Sequence, residues 1–133
     1  MEEGNPPSAV PAWMMWEALG SIAWFLMDGC WMWTWQRGAY LLVVPAVGCH
    51  LLVLWHSRSS RPELLVGLAT AGWLSMNITW MVSDFAKAPG LLTAAKVSFA
   101  VGVAFLLVSF VVRPGAQEVL ATTLSRFRRL RLD

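Results

Sequence analysis

The chain has 133 residues, of which 57% are hydrophobic and only 14% charged, and its mean hydropathy is +0.56. A soluble domain averages about 45–50% apolar and about 25% charged residues. The composition excludes a disordered chain, a nucleic-acid module and an ordinary cytosolic enzyme, and points to a protein whose solvent is mostly lipid.

The chain opens Met-Glu-Glu-Gly-Asn-Pro-Pro, acidic where a secretory signal is basic. The first apolar run is therefore expected to be retained, and no lipid-anchor motif accompanies it. Four apolar runs follow, at about 12–35, 39–55, 63–83 and 91–112. Each fits the roughly 17–25 residues of a spanning helix. The separators are Gln36-Arg37-Gly38, His56 to Pro62, and Asp84 to Gly90, short and carrying helix breakers. Short connections make consecutive helices antiparallel neighbours. The expected fold is all-α, a four-helix transmembrane bundle in one domain.

Basic residues set the orientation. Arg58 and Arg61 lie between runs two and three, and Arg113, Arg126, Arg128, Arg129 and Arg131 follow run four. The opposite side has only Arg37 and Lys87. Both termini are expected in the cytoplasm, in a plasma membrane of the bacterial inner-membrane kind. Trp13, Trp16 and Trp55 then mark the inner interface, and Trp33, Trp35 and Tyr40 the outer one. In the tail, 116–132, Leu120, Leu124, Phe127 and Leu130 form an apolar stripe beside the arginines. That pattern predicts an amphipathic helix on the cytoplasmic surface, binding anionic lipid headgroups. The alternative is a disordered basic tail that enforces topology.

Runs one and three share a pattern at an offset of 49: Trp24, Met27, Asp28, Trp31 and Met32 against Trp73, Met76, Asn77, Trp80 and Met81. Tryptophan is rare enough to argue for a tandem duplication of a two-helix unit, about 12–56 and about 61–112. Both copies then have the same topology, with a symmetry axis along the membrane normal. Trp24, Met27, Asp28 and Trp31 lie on one helical face, and Trp73, Met76, Asn77 and Trp80 repeat it. The bland reading of these faces is a packing seam. The sharper one is an aromatic cage for a cation, built on facing Trp24 and Trp73. Gly20 and Ala23, with Ala69 and Gly72, allow close helix approach one turn away.

Glu17, Asp28, Lys96 and His50 interrupt apolar runs. A charge at a helix centre costs about 2.5–3.5 kcal/mol on insertion scales, so each needs a partner or a purpose. Counting along the runs puts Asp28, Asn77 and Lys96 at one outer level, and Glu17 and His50 at an inner one. These are candidates for a polar relay or ion site, or for structural pairs that fix the bundle. His50 is equally a satisfied core histidine or a single haem ligand. Cys30 and Cys49 differ in depth by roughly 7 Å at 1.5 Å per residue, which disfavours a disulfide. No Cys or His spacing suggests a metal site, and no cofactor is implied.

The plan of four short helices, with Glu17 in the first and Trp73 in the third, is similar to that of the small multidrug resistance transporters. The likeness is one of architecture: that family's lysine after the glutamate is absent, and tandem duplication is not its plan. Two readings follow. One is a structural or accessory subunit of a larger membrane complex, without enzymatic activity, working as a homo-oligomer or with a partner membrane subunit. The other is a small oligomeric transporter or channel using the Asp28/Lys96 and Glu17/His50 groups. A membrane enzyme or haem protein has the least support.

Overall fold

A computed structural model describes residues 11–112. Within them the backbone forms four α-helices: α1 Ala12–Met32, α2 Gln36–Ser57, α3 Arg61–Ala86 and α4 Leu91–Val112. No strand occurs among the described residues. The tail expected as a helix over 116–132, with Arg126, Arg128, Arg129 and Arg131, lies outside them.

Three helices, α2, α3 and α4, are long and apolar enough to cross a membrane. The first is long enough at 21 residues but falls short in apolarity, since Glu17, Asp28 and four tryptophans lie in it. On length and composition, the four expected spans reduce to three.

Local chemistry sets the helix ends. The first helix stops at Met32, three residues earlier than expected, because a Schellman cap closes it. The Trp35 N–H donates to Cys30 O and the Thr34 N–H to Trp31 O, both at 2.8 Å. Thr34 takes the left-handed position, φ 57°, where glycine is usual. The second helix then starts at once, at Gln36 instead of 39. At the start of α3, Ser60 is extended, Pro62 occupies the first turn, and Glu63 complements the helix dipole. This helix ends with Lys87 at φ 52°. The Lys87 and Ala88 N–H groups both return to Ser83 O, and Ser83 Oγ donates to Ala88 O.

The chain divides into two compact units, Met1–His56 and Ser57–Asp133. In the first, α2 runs antiparallel to α1. Trp13 at the start of α1 stacks on His56 near the end of α2, with ring centroids 6.2 Å apart. Midway, a β-carbon on Gly20 would lie 3.0 Å from Cys49 Cβ. Continuing this register sets Ala23 against Ala46 and Cys30 against Ala39, and all four are buried. In the second unit α3 and α4 cross backbone to backbone. A β-carbon on Gly72 would lie 2.6 Å from Gly102 Cα and 2.9 Å from Ser98 O.

Burial is inverted relative to a soluble bundle. The buried positions of α3 include Gly67, Leu74 and Met81, and those of α4 are Ala95, Gly102 and Ser109. Each set is spaced by seven residues, the coiled-coil seam period. Small residues and methionine fill these seams, while Ile22, Phe25, Leu41, Val44, Leu107, Phe110 and Val111 are exposed. In the most apolar stretches of α2, α3 and α4, no more than 28% of residues are buried. Lipid removes the penalty for exposing large apolar side chains, so helices associate through small residues that let backbones approach.

Candidate functional site: the polar and aromatic groups of each hairpin

In the first unit Asp28 is half-buried on α1, one turn before the Schellman cap. The Trp24 indole, one turn earlier, donates a side-chain hydrogen bond to its carboxylate. The other oxygen, Oδ1, is buried and has no hydrogen-bond partner among the described residues. Met27 beside it is fully buried, at 0% exposure. Trp24 also stacks on its chain neighbour Phe25, with centroids 5.2 Å apart. Trp31 is half-buried.

Glu17 is exposed and His50 half-buried. The His50 backbone N lies 3.9 Å from where a Gly20 β-carbon would sit. Glu17 is three residues from Gly20, so it stands within about one turn of His50's level, roughly 4.5 Å along the axis. Cys30 and Cys49 are both free. Cys49 is level with Gly20, ten residues from Cys30, so their depths differ by roughly 15 Å at 1.5 Å per residue. That is about twice the separation counted from the run ends, because Cys49 meets α1 near its middle.

In the second unit Asn77 is buried, whereas Trp73 and Trp80 are 43% and 44% exposed. Trp73 leans on Phe99 of α4, centroids 5.9 Å apart and planes tilted by 58°. Lys96 is exposed on α4. Asn77 is five residues from Gly72 and Lys96 six from Gly102, both towards the 87–90 turn. At 1.5 Å per residue they share a level about 8–9 Å from the crossing. The other buried hydroxyls are satisfied within their own backbone: Ser109 Oγ donates to Leu106 O, and Ser83 Oγ to Ala88 O.

The tryptophan faces divide. Met27 and Met76 are buried on the seams, but the tryptophans sit on their shoulders. Gly20 packs on α2 and Gly72 on α4, so both small-residue faces serve contacts inside their own hairpins. Sequence reasoning missed three features. His56 stacks on Trp13. Pro45 lies inside α2. The seam runs through small residues, whose seven-residue spacing in α4 was visible in the sequence. Among the described residues, no group of three His, Cys, Asp or Glu could hold a metal ion. Comparison with protein-family models, curated proteins and solved structures finds no match to this chain.

Proposed function

We propose that the protein is a structural or accessory subunit of a larger membrane complex, without enzymatic activity of its own. The observation that carries this reading is the distribution of side chains. The interior consists of thin seams of small residues with methionines and Leu74, and most aromatic and branched side chains face outward along the helices. Phe25 is 68% exposed and Phe110 57% exposed, while Trp73 and Phe99 form an outward aromatic ridge. Such a surface suits packing against other transmembrane helices.

All four helices span in this reading. The first is about 31 Å long at 1.5 Å per residue, against a hydrocarbon core of about 30 Å. It is joined to α2 by three residues, and its far end stacks on His56. In this reading the two hairpins derive from one duplicated unit, which the burial of both Met27 and Met76, equivalent at the offset of 49, supports. In this reading the excess of basic residues favours both termini on the cytoplasmic side of a bacterial inner membrane, where the arginines of the tail attract anionic headgroups.

Extraction of the tagged chain into native nanodiscs, with a photo-crosslinker at position 25 or 99, tests the assignment. A distinct membrane polypeptide crosslinked at fixed stoichiometry is expected. A pure homo-oligomer that conducts ions or transports solute in liposomes overturns it. The second reading, a small transporter, is favoured by one observation, the buried and unpartnered Asp28 Oδ1.

A further inference from the structure

The chain carries one acid and one base deep in helices of opposite units, at matching distances from the hairpin turns. Asp28 is four residues before the end of α1, and Lys96 is five residues after the start of α4. Both are roughly 6–8 Å below those ends at 1.5 Å per residue. Neither side chain belongs to a satisfied seam. Lys96 is exposed, one residue round from the buried Ala95. Asp28 keeps only the Trp24 donor, and its Oδ1 has no partner among the described residues. In hydrocarbon an unpaired acid and an unpaired ammonium are each costly, and pairing the opposite charges relieves both.

We propose that Asp28 of one copy pairs with Lys96 of a second copy, so that copies assemble side by side through α1 and α4. The contact is heterologous: each copy offers a carboxylate on one unit and an ammonium on the other, and assembly proceeds until a ring closes. Charge complementarity specifies the occupant, and the exposed lysine is the group that reaches outward. The pair neutralises both charges, leaving neither to serve as a transport group. The proposal goes beyond the accessory role and rests on the four-span reading.

The test is a split charge swap. Asp28→Lys is placed in one tagged chain and Lys96→Asp in a differently tagged chain. Each variant expressed alone is expected to lose self-association at least tenfold, measured by co-purification of two tags from nanodiscs. Co-expressed, they are expected to recover near wild-type association, because the swapped charges pair between chains. Recovery only when both changes occupy one chain overturns the proposal and places the pair within a chain. Undiminished association of either single swap also overturns it.

Cysteine variants without reversed charge guard against misfolding. With Cys30 and Cys49 changed to Ala, a chain carrying Asp28→Cys and another carrying Lys96→Cys are oxidised together. A disulfide between chains is expected; its absence overturns the pair. A membrane-impermeant maleimide then separates the two failures. Labelling at position 28 means that the four-span reading has failed, and protection without a crosslink means that only the pairing has.

Discussion

The two hairpins solve the same packing problem with different tolerances. In α1–α2 the glycine contact sets Gly20 against the Cys49 side chain, with 3.0 Å left for a β-carbon. In α3–α4 it sets Gly72 against Gly102 backbone, with 2.6 Å. A side chain can yield by a few tenths of an ångström, and backbone cannot without moving a helix. The polar content differs in the opposite sense. Asn77 is buried in the tighter hairpin, while the looser one holds Asp28 with a buried, unpartnered oxygen. The second hairpin is the more closely packed at its glycines, and the first carries the one buried side-chain oxygen without a hydrogen-bond partner among the described residues.

The largest effect expected to sharpen this contrast is Asn77→Asp. It introduces a charge at a buried position and should cost the second hairpin about 3 kcal/mol on insertion-type scales. Asp28→Asn, the reciprocal change, should cost the first hairpin nothing, because an amide oxygen can still accept from Trp24. Unfolding by SDS titration in mixed micelles reads both, and equal effects would erase the distinction.

Next comes glycine replacement at the two crossings. Gly72→Ala should destabilise by about 2 kcal/mol through overpacking against backbone. Gly20→Ala should be near neutral, since a mild squeeze on Cys49 is offset by the roughly 1 kcal/mol helix preference of alanine. A loss at Gly20 as large as at Gly72 would break the comparison. Gly48, with nothing within 4 Å, is the internal control and should tolerate Ala without loss.

Smaller effects belong to the turns. Thr34 is β-branched and left-handed, so Thr34→Gly should stabilise by about 1 kcal/mol. Lys87→Gly should stabilise less, because lysine is unbranched at Cβ. A thermal-stability series in detergent ranks the two, and destabilisation by Thr34→Gly would refute the strain argument. The smallest effect is at the clasp between Trp13 and His56. Trp13→Leu should lose about 0.5–1 kcal/mol of ring stacking, measured as increased amide exchange at both helix ends. Unchanged exchange would show that the stack holds nothing.

Much of the helix plan was legible in the residues. Apolar runs with Pro62 and Pro89-Gly90 between them locate four helices to within a few positions, because breakers act locally, although Gln36-Arg37-Gly38, read as a separator, is the first turn of α2. The ends of α1 and α3 were not legible, since Thr34 and Lys87 stand where left-handed caps normally show glycine. The packing faces were half legible. Met27 and Met76 were marked and are buried, yet tryptophan drew attention to the shoulders of the seams. The partners of Gly20 and Gly72 were not legible, because a glycine advertises close approach without naming what approaches.

What the sequence determined by itself is hydropathy, helix period and breaker placement, all of which act within a few residues along the chain. Which face turns inward was decided only in three dimensions. In lipid, large and small apolar side chains carry little difference in solvation, so hydrophobicity alone does not sort them. The choice falls to shape: Gly72 lies on Gly102, Gly20 lies on Cys49, and most phenylalanines and tryptophans are left outward, because only small residues let two backbones come close enough for dense contact.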